Sequence, residues 1–303
     1  MPPSNNYTPA KGEFLNSVVN KIGKQIWSSK AYVNPLKRLK KGFIENANDI
    51  EEIYIARAVG TAQDPDGVDT LKRVKSTVKT QYHTQDYEKS YTVSVSDKQV
   101  RQGFLTSGGV TKVAEKILES LHTGYEYDEY MATLDVLEKL SKAAPSTAKK
   151  KVTNVTDLAT AKAFTKEVKK DVKKMARRST TYATVENHSK PSELILFLND
   201  EWSVEIDVEL LATAFNISKA DLSEMTIIEI PDLGTSNIKA VLCDEGAIQI
   251  YDTYYGIEPQ RNAKGKFTNQ HLSTDKILSW SNMYNVCVYY TGDTVPTALN
   301  VEE

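Results

Sequence analysis

The stretch GGVTKVAEKILESLHTGYEYDEYMATLDVLEKLSK, residues 108–142, decides how the rest of the chain is read. Val110, Val113, Ile117, Leu121 and Tyr125 recur at three- and four-residue spacing. After Gly124 the stripe resumes with Tyr127, Tyr130, Leu134 and Leu137. That is the period of one helix face. Fully helical, the stretch extends about 50 Å, several times the length of an ordinary globular helix. Gly124 is the position at which a kink is expected.

On the N-terminal side, IEEIYIARAVG (50–60) alternates loosely and reads as a strand. QDPDGVD (63–69) is a turn built on Pro65 and Gly67. Alternation resumes over 71–95 through Val74, Val78, Tyr82, Tyr87, Tyr91, Val93 and Val95. Two long strands around a polar tip make an extended hairpin. Its faces carry charge and tyrosine rather than a continuous apolar stripe, so it is expected as an arm that packs on a neighbour. Residues 1–33 read as a further arm, with a short amphipathic helix between Phe14 and Trp27. Asn34-Pro35 punctuates it, and KRLKKG (37–42) follows as a basic turn or strand start.

On the C-terminal side, KAAPSTAKKK (142–151) is a loop. A second helix is expected from about Thr156, its N-cap, to Arg178. Its apolar edge is Leu158, Ala161, Phe164, Val168, Val172 and Met175. Its remaining surface is Lys162, Lys166, Lys169, Lys170, Lys173, Lys174, Arg177 and Arg178. ELILFLN (193–199) is a buried strand by length and composition. Asp207 caps an expected helix over 208–215 that Asn216 ends, and Ser218 with Asp221 resembles a capping pair. MTIIEI (225–230), IKAVLC (238–243), AIQIYDTYY (247–255) and NVCVYYTG (285–292) read as strands. Segments 254–260 and 266–280 pair as a hairpin through RNAKGKF (261–267). No internal repeat is present. A hairpin, a long helix and then mixed strands and helices indicate an α+β protein.

Composition excludes several classes. The 303 residues are 40% hydrophobic and 26% charged, ordinary values for a folded chain. Lys plus Arg is 38 and Asp plus Glu is 40, a net charge of −2, which excludes a uniformly basic nucleic-acid binder. Apolar runs such as Leu194–Leu198 and Val286–Tyr290 fall far short of the ~20 residues of a membrane-spanning helix, so no membrane partner is expected. The N-terminal MPPSNNYTPAKGEF has no apolar signal core, and the chain is expected to stay in the cytosol. Cys243 and Cys287 form no CxxC pair and are expected as buried, inert thiols. Charge is distributed in blocks: net +5 over 1–49, −3 over 50–148, +8 over 149–178 and −12 over 179–303. Copies of such a chain attract one another head to tail, and the basic blocks also suit a polyanion.

No phosphate loop, dinucleotide fingerprint, HExxH or GxSxG motif is present. His83, His122, His188 and His271 lie in different elements, and no metal or cofactor site is expected. Asp64-Pro65-Asp66-Gly67-Val68-Asp69 has its glycine at the fourth position, whereas a calcium loop needs it at the sixth. The carboxylates Asp200, Glu201, Glu205, Asp207 and Glu209 admit a hydrolase reading, but they gather at a helix N-terminus, where negative charge is favoured without catalysis. The chain is therefore not expected to be an enzyme. The lysine-rich helix supplies charge for phosphates but no interleaved aromatics for base stacking.

Several stretches together resemble one family. NPLKRLKKGFIENANDIEEIYIARA (34–58), RQGFLTSGG (101–109), EYDEYMATLDVL (126–137) and KEVKKDVKKMARR (166–178) are similar to parts of the major capsid proteins of phi-twenty-nine-like podophages. So is the run from WSVEIDVELLATAFNISKADL (202–222) through IKAVLCDEGAIQIYD (238–252) to YYTGDTVP (289–296). The specificity lies in the collinear succession of pieces. The resemblance implies the tailed-phage capsid fold of the Hong Kong ninety-seven type, with an N-terminal arm, an extended loop, a peripheral domain with a long spine helix, and an axial domain. The corresponding divisions are 1–45 for the arm, 46–104 for the extended-loop hairpin, 105–184 with 254–284 for the peripheral domain, and 185–253 with 285–303 for the axial domain. Some relatives add an immunoglobulin-like domain, which is not expected here. Some shells of this fold carry Lys–Asn crosslinks, for which no pair is assigned.

The implied function is a major capsid protein that self-assembles into hexamers and pentamers. These would form an icosahedral or prolate head shell around double-stranded phage DNA, assembled in the host cytoplasm and resident in the virion. Scaffold and portal proteins are implied partners. An encapsulin-like protein compartment of the same fold is the alternative. Arg57, Lys72, Arg73 and Lys75 on the hairpin are candidate inter-subunit contacts. Lys169, Lys170 and Lys173 are candidates for a lumenal or interfacial basic helix touching packaged DNA.

Overall fold

The computed structural model describes residues 30–45, 49–60, 73, 75–97, 109–206, 225–233 and 237–297. Strands β1 (Lys40–Phe43), β2 (Asp49–Ile55), β3 (Val78–Thr84) and β4 (Tyr87–Ser96) precede helix α1 (Gly109–Ala143). There follow β5 (Lys149–Lys151), α2 (Leu158–Met175), β6 (Leu194–Asn199), α3 (Asp200–Glu205), β7 (Thr226–Ile230) and β8 (Ile238–Asp244). The described elements end with β9 (Ile248–Asn262), β10 (Phe267–Trp280) and β11 (Val286–Tyr290). The chain forms two compact units. One comprises 1–37, 88–131 and 254–275, the other 38–87, 132–253 and 276–303. The segment expected as 105–184 contributes to both.

The second unit is built on a five-stranded sheet in the order β5-β11-β8-β6-β7. β6 is buried at every position, as a central strand covered on both faces must be. From β6, Leu194, Leu196 and Leu198 meet Ala240 and Leu242 of β8, Cys287 and Tyr289 of β11, and Ala161, Phe164, Val168 and Met175 of α2 in one core. Phe164 stands edge-on to Trp202 and Tyr289, at centroid distances of 5.1 and 5.3 Å. Each such pair adds about 1 kcal/mol beyond area burial. The Trp202 indole N–H, which a dry core would strand, donates to Asn154 Oδ1 at 2.9 Å. β1 joins the unit by parallel pairing to the start of β9, Lys40 opposite Ile250.

In the first unit, Leu121 and Tyr125 of α1 pack on Leu272, with Tyr91 and Val93 of β4 against them. Residues 32–37 lie along α1. The Asn34 backbone N–H donates to Glu126 and its amide to Glu129, at 3.0 and 3.1 Å, while Lys37 pairs with Glu126 at 3.1 Å.

Helix α1 matches the expected stretch closely and passes Gly124 without interruption. The Tyr91 ring lies over the Gly124 position, 3.5 Å from where a Cβ would sit. The strand expected over 71–95 is divided at Gln85 and Asp86 into β3 and β4, which belong to different sheets. The side chains at the break are hydrogen-bonded outward: Gln85 accepts from the Thr253 hydroxyl at 2.8 Å, and Asp86 from the Leu278 backbone N–H at 3.2 Å. The second helix is capped by Asp157, not Thr156, because the Asp157 carboxylate accepts from Thr160 N in a reciprocal capping box. Segments 247–255 and 254–260 are a single strand, β9, which forms a hairpin with β10. Helix α3, capped by Asn199, was not anticipated. The arm helix between Phe14 and Trp27, the hairpin tip at 63–69, Lys72, the helix over 208–215 with Asp207 and Asn216, and the Ser218–Asp221 pair lie outside the described residues.

Candidate assembly surfaces

β2 and β3 form a two-stranded antiparallel ribbon, with Ile50 opposite His83, Glu52 opposite Gln81, Tyr54 opposite Lys79 and Ile55 opposite Val78. Directly opposed residues share a face, so the register divides the ribbon chemically. Its inner face is polar and tied to the second unit. The Tyr54 hydroxyl donates to Glu186 O at 2.9 Å, Lys79 to Thr184 O at 2.7 Å and Gln81 to Trp280 O at 2.6 Å. His83, itself buried, bridges Ser279 Oγ at 2.7 Å and Glu52 at 3.2 Å. Burial pushes the Glu52 carboxyl up, but hydrogen bonds from His83 and Ser281 and the charge of Lys41 bring it below its ordinary value.

The outer face mixes an apolar group with polar side chains: Ile53, Ile55, Val78 and Tyr82 stand beside Asp49, Glu51, Thr80 and Thr84. Ile53, Ile55, Val78 and Tyr82 are 55%, 64%, 54% and 65% exposed. Charge and a tyrosine lie on this face, as expected, with the apolar side chains grouped toward the end where Ile55 faces Val78. The alternation of IEEIYI was visible in sequence, but the register that sets Ile55 opposite Val78 was not. A two-stranded ribbon that leaves such a group of large apolar side chains uncovered is a surface suited to a partner. Of the four candidate contacts, Arg57 pairs within the same chain, its Nε 2.9 Å from Glu186 Oε2. Arg73 and Lys75 are exposed, and Lys72 lies outside the described residues.

On α2, Lys170 and Lys173 are exposed and Lys169 is half-buried. Lys170 pairs with Glu167 one turn away. Beneath this face lies a feature sequence reasoning missed. Asp171 is fully buried and accepts from the hydroxyls of Tyr182 and Tyr289, each at 2.8 Å. Lys150 of β5 supplies the countercharge, and the Cys287 thiol stands 3.7 Å away. Burial and the hydrogen bond to Asp171 push the Tyr182 hydroxyl far up. Burial does the same for Tyr289 and for the Cys287 thiol. These groups act as fixed donors, pinning α2 to the sheet. The only sequence signal was one aspartate in a lysine run, at a position where the helix turns inward. A second such cluster sets Asp252 between Lys40 at 3.0 Å and fully buried Lys276 at 2.9 Å.

The four histidines do not converge, and among the described residues no group of three or more His, Cys, Asp or Glu is arranged to hold a metal. Cys243 and Cys287 are both buried in strands. Asp200 and Glu201 occupy the first turn of α3. The Asp200 carboxyl is raised by burial and by the nearby Glu229 and Asp232, while Asp207 and Glu209 lie outside the described residues.

A ribbon, a long helix and a five-stranded sheet flanked by α2, with these surfaces outward, make up the tailed-phage capsid fold of the Hong Kong ninety-seven type. The capsid structure of Staphylococcus phage Andhra matches it with a TM-score of 0.76 at 14% identity, over 90% of this chain and 88% of that one. Residues 3–290 match the Phi29-like phage major capsid protein family, and the chain belongs to it. It is 28% identical over 286 residues to the major capsid protein of Bacillus phage GA-1, across 92% of this chain and 60% of that protein. To the corresponding protein of Bacillus phage PZA it is 27% identical over 300 residues, across 96% and 66%. The chain thus spans 60% and 66% of the length of these relatives.

Proposed function

We propose that the chain is a major capsid protein that self-assembles into hexamers and pentamers, forming an icosahedral or prolate head shell around double-stranded DNA. The observation that carries this reading is the ribbon, hydrogen-bonded to its own chain on one face and leaving Ile53, Ile55, Val78 and Tyr82 exposed on the other. A shell requires each copy to present one surface to a different surface of the next, so that contacts close into rings and then a cage. The ribbon takes the part of the extended loop, α1 that of the spine helix, and the five-stranded sheet that of the axial domain. Arg73 and Lys75, with Lys72, steer the ribbon toward an acidic neighbour. Scaffold and portal proteins are its assembly partners, the host cytoplasm its place of assembly and the virion its destination. Family membership favours a phage shell over an encapsulin-like compartment.

Sedimentation velocity and negative-stain microscopy test the reading. The purified chain, alone and with any scaffold protein encoded beside it, is expected to yield closed shells or rings of five or six subunits. Ile53→Asp combined with Ile55→Asp is expected to leave the thermal unfolding temperature unchanged and to abolish these particles. A species near 33.9 kDa that persists at high concentration with scaffold present overturns the proposal.

A further inference from the structure

α2 carries its positive charge along one line. Lys162, Lys166 and Lys173 are exposed and fall within about 40° of arc on the helix, and Arg177 is exposed just beyond its C-cap, Ala176. The three lysines stand opposite the edge formed by Ala161, Phe164, Val168 and Met175, which is buried in the core of the five-stranded sheet. From Lys162 to Lys173 the rise is about 16 Å. Lys170 and Lys174 flank the line and are also exposed. None of Lys162, Lys166, Lys173, Lys174 and Arg177 meets a carboxylate at ion-pair distance among the described residues. Glu167 is engaged by Lys170. Asp171 points into the core, where Lys150, Tyr182 and Tyr289 satisfy it, so it does not neutralise the outer face.

The chemistry of this face discriminates between partners. A protein interface is anchored by aromatic or large apolar side chains and is depleted in lysine. Among the positions of α2 and its C-cap whose exposure is described, the other exposed ones include Ala159, Ala163 and Ala176, with no aromatic or large apolar residue. Phosphate binding needs no anchor, only presented charge, and lysine supplies point charges without the fork that reads base edges. We infer that the outer face of α2 binds the phosphates of duplex nucleic acid without regard to sequence, and that this face of the five-stranded sheet turns toward the interior of the shell. The orientation rests on the shell reading; the binding does not.

The test uses the full chain, taking its unassembled fraction from a sedimentation run. Anisotropy of two unrelated labelled DNA duplexes is measured over a salt series. Both duplexes are expected to bind alike, with a log–log salt slope of about −4. Replacing Lys166, Lys173 and Arg177 together by Gln is expected to reduce that slope by about three units without moving the unfolding temperature, whereas Lys166→Arg with Lys173→Arg preserves it. An unchanged slope in the Gln variant, or a wild type that binds neither duplex, removes the inference. So does a folded Gln variant that fails to self-associate while the wild type ignores DNA, which would make the face a contact between copies. Microscopy of the same wild-type sample separates the two readings. Shells without duplex binding remove only this inference. Duplex binding without shells removes the shell and the orientation, and leaves the phosphate stripe.

Discussion

Asp171 is a fully buried carboxylate inside a helix whose outer surface is lysine. Its cost of desolvation is offset because two tyrosine hydroxyls and one ammonium all point at it. Removing the charge leaves Lys150 without its partner, and because Tyr182 donates to Oδ1 and Tyr289 to Oδ2, only one of the two hydroxyls keeps an amide oxygen to donate to. Asp171→Asn is therefore expected to cost about 3 kcal/mol, measured by denaturant unfolding. Adding Lys150→Met should recover part of the loss, because the stranded charge is gone; no recovery would mean that the hydroxyl geometry matters more than the ion pair. Glu52 gives a second residue-scale outcome. Its folded value is depressed, so its contribution is fully present above the ordinary glutamate range and is lost as pH falls through the lowered value. Protection of the β2–β3 amides, taken relative to the intrinsic exchange rate at each pH, is expected to fall as pH drops through the lowered Glu52 value. Glu52→Gln should show the lower protection already at neutral pH. Protection that stays constant over this range in the wild type would remove Glu52 as the anchor.

At the scale of elements, α1 contains a glycine in its interior that neither kinks it nor needs a left-handed conformation. A methyl group at Gly124 would meet the Tyr91 ring at 3.5 Å, an ordinary contact. Gly124→Ala is therefore expected to stabilise by about 0.5–1 kcal/mol, read as a raised unfolding midpoint; destabilisation would show that the ring cannot yield. Such elements also show what the sequence allowed to be read. The length of α1, the burial of β6 and the basic surface of α2 follow from periodicity and composition, which are local. The break at Gln85-Asp86 was hidden because the side chains that make it reach Thr253 and Leu278, far away in the chain. The grouping of Ile53, Ile55, Val78 and Tyr82 on one face of the ribbon was hidden for a related reason: a two-residue period gives two faces, and only register chooses which residues join them. The role of Asp171 required three elements to meet. The α+β class and the family resemblance were legible; the division of the ribbon and the polar centre of the sheet were not.

At the scale of the molecule, the candidate surfaces obey different physics, and salt separates them. The block charges, +8 over 149–178 against −12 over 179–303, act over a Debye length of about 10 Å at 0.1 M salt and about 3 Å at 1 M. They steer encounter and set the association rate more than they hold a complex. The exposed apolar group of Ile53, Ile55, Val78 and Tyr82 has no such sensitivity, and its loss appears in dissociation. Stopped-flow light scattering of the assembling chain should therefore slow steeply as salt rises. Arg73→Glu with Lys75→Glu should slow assembly at low salt and flatten the dependence, while finished particles dissociate at the wild-type rate. Arg57→Ala should do less, because Arg57 already pairs with Glu186 at the surface, a contact of about 0–1 kcal/mol. Ile55→Asp should leave the salt dependence of the early rate intact and raise dissociation at every salt concentration. If the charge variants instead change dissociation alone, the ribbon's lysine and arginine side chains are buried in the finished contact, and steering belongs to another part of the chain.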